Sequence, residues 1–123
     1  MRFWIDDYRN PSDYVKDWGE KHDVWSKSYA EFMKHLQIHL NDDIRIGHIY
    51  FDYNLGPGAT GLDCARLITS EDWEWALDEN TTWSSHSSDP YGRCKIIALM
   101  DSWQEKTQLN WTSLESSRCS IDT

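Results

Sequence analysis

Three acids and a histidine stand where buried strands run out. Asp52 closes the run Ile49-Tyr50-Phe51 and is followed by Tyr53-Asn54-Leu55-Gly56-Pro57-Gly58, a polar turn. Trp4-Ile5 ends in Asp6-Asp7, and Trp83-Ser84-Ser85 ends in His86-Ser87. Open α/β folds take their ligands at the carboxyl ends of strands, so these three ends form one candidate site. His86 is the residue in it suited to general acid or base work near neutral pH. Asp52 would position a water or a cation beside it, with the Ser87 hydroxyl adjacent. Asp6, Asp7 and Asp52 are hard oxygen ligands of the kind Mg²⁺ takes. Carboxylates gathered so closely are costly unless a cation or shared proton relieves them. The bland alternative for Asp6 or Asp7 is a loop cap or a solvent-facing charge. Arg9 and Arg93 are placed to clamp a phosphate from opposite sides. A helix starting at Asp89-Pro90 would add amides and a positive dipole end. Gly61 and Gly92 allow close backbone approach to a ligand, or serve turns. Tyr8, Tyr53 and Tyr91 could stack on a base.

The elements that must hold these residues follow from patterning. Arg2 to Ile5 reads as a short central strand, followed by a loop punctuated by Pro11. Asp23-Val24-Trp25-Ser26 is a second strand. Ser28-Tyr29-Ala30-Glu31 is a capping box, with Glu31 reaching back to the Ser28 amide. Tyr29, Phe32, Met33, Leu36 and Leu40 then predict a helix over Tyr29 to Leu40, closed by Asn41-Asp42-Asp43. Ile44 to Asp52 reads as the third strand. A helix opening at Ala59 or Thr60 carries Leu62, Ala65, Leu67 and Ile68 inward, and either ends at Ser70 or runs on through Trp73-Glu74-Trp75. Thr81 to Ser85 is the fourth strand. The last helix starts at Asp89-Pro90 and shows Tyr91, Cys94, Ile97, Ala98 and Trp103 as its apolar side. The order β, β, α, β, α, β, α predicts an α/β domain: a small flavodoxin-like or receiver-like three-layer fold with a mostly parallel four-stranded sheet. It would span 1–106, with a Ser/Thr-rich tail at 107–123 that carries Leu109, Trp111, Leu114 and Ile121.

Composition narrows the function classes. A chain of 123 residues with eight Trp and six Tyr is one domain with material for a core. A net charge of −9 opposes general DNA or RNA binding. No stretch approaches the roughly 20 apolar residues of a membrane span, and Asp6-Asp7 interrupts any signal pattern. The expected setting is therefore cytoplasmic. Cys64, Cys94 and Cys119 lack CxxC spacing, which argues against a disulfide framework or a zinc site. Cys64 and Cys94 are read as small buried hydrophobes.

Four motifs taken in order carry a resemblance. They are Trp4-Ile5-Asp6-Asp7-Tyr8-Arg9, Phe51-Asp52-Tyr53-Asn54-Leu55-Gly56, Thr60-Gly61-Leu62-Asp63 and His86-Ser87-Ser88-Asp89-Pro90-Tyr91-Gly92. Over about residues 2 to 103 the chain resembles the cyclic-phosphate processing receiver domain family, found in bacteria and their phages. The resemblance implies a receiver-like fold and action on nucleotides bearing cyclic phosphates. It also implies a ligand-binding set of Asp6, Asp7, Arg9, Tyr53, Asn54, Gly61, Asp63, Asp89 and Arg93. The chain departs from the family where acid-His-acid-Leu-Gly becomes Asp52-Tyr53-Asn54-Leu55-Gly56, and where the usual Asn is Asp89. A mechanism with one His as base and another as acid loses a partner here, and an ordinary phenol titrates near pH 10. Two readings follow. The chain binds a small cyclic-phosphate nucleotide and sequesters or hydrolyses it, as a phage counter-defence protein would. Alternatively, it is a protein-interaction domain with no small ligand. No cofactor is certain, Mg²⁺ being the candidate.

Overall fold

The structure is a computed structural model that describes residues 1–41 and 44–111. Its strands are β1 (Arg2–Ile5), β2 (Asp23–Ser26), β3 (His48–Phe51) and β4 (Thr82–Ser85). Its helices are α1 (Tyr29–His39), α2 (Gly61–Ile68) and α3 (Pro90–Trp111), with short 3-10 turns at Pro11–Asp13 and Glu74–Ala76. The sheet is wholly parallel in the order β2-β1-β3-β4. Ile5, Ser26, Phe51 and Ser85 share one row at its carboxyl end.

Alternation along the strands divides the residues between two faces. Phe3, Ile5, Val24, Ile49 and Phe51 enter a core with Phe32 and Leu36 of α1, Leu62, Ala65 and Ile68 of α2, and Ile96, Met100 and Trp103 of α3. Burial of each Val, Leu, Ile, Phe or Met side chain among these contributes about 1.5–3 kcal/mol. All three helices lie on this face. The step from β1 to β2 runs the opposite way across the sheet from the steps β2 to β3 to β4. A right-handed connection must therefore cover the other face. That connection is the segment 6–22. Its Tyr14 ring stacks on Trp4 at 5.6 Å, and Trp18 lies 5.4 Å from the Arg2 guanidinium carbon. Segment, sheet and helices make the three layers.

Local details depart from the sequence expectations for physical reasons. Ser28 caps α1 by accepting the Glu31 amide at 3.1 Å, but the Glu31 carboxylate takes the Lys27 amide, one residue earlier than expected. The third strand begins at His48 rather than Ile44, because the Ile46 amide turns to the carbonyl of Ala76 and that of Gly47 to Met1. The helix after Thr60 stops at Ile68, and the Thr69 and Ser70 hydroxyls fold back on its last carbonyls. Helix α3 turns inward a side that keeps Trp103 of the expected residues but is otherwise different, Ile97 being half-buried. Ile96, Met100 and Trp103 are buried while Tyr91, Cys94 and Ala98 are exposed. Apolar residues occur all round this helix, so periodicity alone selects no stripe, and contact with α2 and β4 decides. Cys64 is buried as expected, but Cys94 is not. Helix α3 continues to Trp111, so the first residues of the expected tail are helical. Leu114, Cys119 and Ile121, the side chains of Leu109 and Trp111, and the stop at Asp42-Asp43 lie outside the described residues. No described helix is long and apolar enough to cross a membrane.

Candidate functional site

Three residues each stand one position beyond a strand and are still tied to the sheet. The Asp6 amide donates to the Ser26 carbonyl (3.1 Å), that of Asp52 to Ile5 (3.0 Å) and that of His86 to Phe51 (3.0 Å). These bonds extend the ladder by one row and fix Asp6, Asp52 and His86 in line across β1, β3 and β4. Alternation then directs all three side chains to the face opposite the helices, the face of Trp4 and Tyr50.

Asp6 is the hub. Its carboxylate is wholly buried. One oxygen accepts the amides of Tyr8 and Arg9, both at 2.9 Å. The other accepts His86 Nε2 at 2.8 Å and Arg9 Nη1 at 3.0 Å. The same Arg9 nitrogen reaches Asp52 Oδ2 at 3.3 Å, so one guanidinium bridges two buried carboxylates. Trp4 supports the cluster from below. Its ring lies flat against His86, centroids 4.0 Å apart and planes within 5°, and its Nε1 donates to the Arg9 carbonyl at 2.9 Å. Trp25 Nε1 donates to the Asp6 carbonyl at 2.7 Å.

The electrostatics follow from these contacts. Burial pushes the Asp6 carboxyl up, but the bond from His86, the amides of Arg9 and Tyr8 and the guanidinium outweigh it and hold the group at about 2. Asp52 moves the other way. Burial, reinforced by the Asp6 charge, raises it above the ordinary carboxylate value despite Arg9. The hydrogen bond to Asp6 raises the Arg9 guanidinium. With Asp6 ionised, His86 must donate through Nε2, which leaves Nδ1 as the free ring position. Among the described residues, His86 Nδ1 and Asp7 Oδ1 are buried side-chain atoms without a hydrogen-bond partner.

The other expected site residues are not all drawn into this cluster. Asp7 turns away from Asp6, and its Oδ2 faces the Gly56 turn, where a methyl on Gly56 would stand 3.9 Å away. Tyr53 points to the helix layer, its ring resting on Gly92 so closely that a Cβ there would collide with it. Gly61 is likewise required, because a methyl group would strike the Asp52 carbonyl. Asn54 is exposed in the loop. Asp63 is engaged in capping α2, its Oδ2 accepting the Thr60 amide at 2.8 Å, and pairs with Arg66 at 3.3 Å. Asp89 Oδ1 accepts the amides of Tyr91 (3.0 Å) and Gly92 (3.2 Å), so the α3 terminus satisfies two of its own donors. Ser87 is buried in the same turn and its hydroxyl accepts the Asp89 amide at 3.1 Å. Arg93 is exposed and donates to the Ser87 carbonyl at 2.8 Å. Trp4 and Trp25 are missed by sequence reasoning. Strand alternation is the signal for Trp4, since Phe3 and Ile5 facing the core leaves Trp4 for the site face.

Asp6, Asp52 and His86 each offer one donor atom, all within 4.8 Å of one another. Asp7 does not belong to that set. Arg9 Nη1 stands between the two carboxylates, where a cation would bind, and an imidazole is a softer donor than the all-oxygen shell Mg²⁺ prefers. The residues therefore do not fit a resident Mg²⁺ unless Arg9 withdraws.

A parallel α/β sheet with acids and a histidine at adjacent strand ends defines a receiver-like domain. The chain belongs to the cyclic-phosphate processing receiver domain family, whose sequence model matches residues 1–102. No curated protein and no solved structure matches the chain.

Two outcomes are expected. The Asp6 value in the fold lies below its ordinary 3.8. Its stabilisation is therefore present above about pH 4 and lost as the pH falls towards 2, in all about 2 kcal/mol. Chemical denaturation across that range should show this acid limb, and Asp6→Asn should flatten it. An unchanged limb in the variant would contradict the assignment. Removing the Arg9 guanidinium takes from two buried carboxylates the cation they share, so Arg9→Ala should cost about 3 kcal/mol. Added Mg²⁺ should then raise the melting temperature of the variant and not that of the parent. Equal responses would show that Arg9 does not hold the cation position.

Proposed function

We propose that this domain binds a nucleotide bearing a cyclic phosphate at the carboxyl ends of β1, β3 and β4. The observation that carries the reading is the Asp6–His86–Arg9 cluster. It holds an imidazole and a guanidinium together against a buried anion, at the point where parallel sheets receive ligands. Arg9 is the group that would exchange its weaker contact with Asp52 for a phosphate oxygen. His86 Nδ1 is the ring position left for the ligand or for a proton. Capture is favoured over turnover. Ring opening of a cyclic phosphate needs a base for the attacking water and an acid for the departing oxygen. The residue in the place of the family's second histidine, Tyr53, has its ring on Gly92 instead of beside His86. A protein of this kind would sequester a nucleotide messenger, which suits phage counter-defence.

The test is equilibrium binding of 2′,3′-cyclic and 3′,5′-cyclic mononucleotides, with chromatography of the ligand after denaturing the complex. Intact ligand should be recovered, and His86→Gln should weaken binding about tenfold, through loss of the hydrogen bond that Nδ1, on taking a proton, donates to the charged phosphate. Recovered product would make the domain a phosphodiesterase. Absence of any binding would overturn the nucleotide reading and favour the protein-interaction alternative.

A further inference from the structure

The site cluster is the upper end of a longer feature on the same sheet face. Below Asp52 on β3, alternation places Tyr50 and then His48 on that face. Beside them on β4 stand Ser84 and Thr82, paired in register as Tyr50 with Ser84 and His48 with Thr82. The rings form a continuous series. His86 lies flat on Trp4, Trp4 is 5.4 Å from Tyr50, and Tyr50 is 4.2 Å from His48. The segment 6–22 covers the β1 and β2 half through Tyr14, Trp18 and Asp17. Among the described contacts, none brings that segment or a helix onto the rings of Tyr50 and His48. Both residues are half-buried and Thr82 is exposed.

The edges of the His48 ring are already engaged. Nδ1 lies 2.6 Å from Thr82 Oγ1 and Nε2 lies 2.9 Å from Ser84 Oγ. Burial, aided by the Arg2 charge, lowers the ring's pKa and keeps it neutral. What it can offer a ligand is its π-face. Successive residues on this face are two apart, about 6.6 Å per step along the strand, a reach comparable to one extended nucleotide. Aromatic rings displayed on an open sheet face are how sheet-based modules stack successive bases.

We propose that the Tyr50–His48 face is a stacking platform for the bases of a short single-stranded oligonucleotide whose terminal cyclic phosphate sits at His86 and Arg9. This rests on the cyclic-phosphate reading of the site and narrows its ligand to an oligonucleotide end. The net charge of −9 opposes binding along a polyanion, so recognition is by the end and its stacked bases, with weak dependence on salt.

The experiment compares the full-length chain binding a mononucleotide, a dinucleotide and a trinucleotide, each with a 2′,3′-cyclic phosphate end, at two salt concentrations. A cyclic dinucleotide is run beside them. Affinity should rise about tenfold with each of the first added bases, as expected for base stacking on an aromatic ring. His48→Ala should remove most of the gain from the second base, and Tyr50→Leu should remove more. Circular dichroism confirms folding of each variant. Equal affinity for one, two and three nucleotides would overturn the platform while leaving the phosphate site intact. Loss of all binding, the mononucleotide included, would overturn both. A length dependence that survives His48→Ala and Tyr50→Leu would place the bases elsewhere and overturn it too. So would preference for the cyclic dinucleotide, or a steep salt dependence that ignores the terminal phosphate.

Discussion

The buried carboxylate of Asp6 is the constraint on which the site depends. A carboxylate with no exposed surface persists as an anion only when its lone pairs are occupied by donors. Here two amides, an imidazole and a guanidinium supply them. Each donor is thereby fixed. The amides shape the turn after β1, the imidazole is drawn from β4 across β3, and the guanidinium is folded back over the strand ends. Without that anion, His86 and Arg9 would lose the contact that brings them together. The extra row of ladder bonds at Asp6, Asp52 and His86 makes the arrangement rigid, since these residues take their positions from the sheet and not from a loop.

The two carboxylates illustrate how neighbouring acids in one site take opposite states. Asp6 has the donors, so its proton is easily lost. Asp52 has the Tyr53 amide and one longer contact to Arg9, and it feels the Asp6 charge, so its proton is held more tightly. Arg9 stands between them as an internal counter-ion. This accounts for two buried acids, Asp6 and Asp52, standing side by side at neighbouring strand ends, and Asp7, turned to the Gly56 loop, is not part of that charge balance.

Much of the fold was legible because its signals are local and strong. The strands at Arg2–Ile5 and Asp23–Ser26 and the Ser28 cap can be read directly from alternation and capping chemistry. So can the grouping of Asp6, Asp52 and His86, each placed just after a strand. Less legible were features set by tertiary contact. Asp6 and Asp7 are equivalent in composition, and only the side each takes beyond the strand separates them. Asp63 and Asp89 match ligand motifs but are engaged as helix caps, a role that competes for the same residue type. The buried side of α3 was hidden because apolar residues surround the helix. Trp4 was not singled out as a site residue, although its strand position places it under His86.

The most direct test of the central claim is nitrogen-15 NMR of the His86 ring in the full-length protein at neutral to mildly alkaline pH. If ionised Asp6 organises the site, Nε2 carries the proton and Nδ1 does not, and adding a 2′,3′-cyclic nucleotide shifts the Nδ1 resonance. A proton on Nδ1 with Nε2 bare would mean that the Asp6 bond does not set the imidazole, and the account of the site would fail.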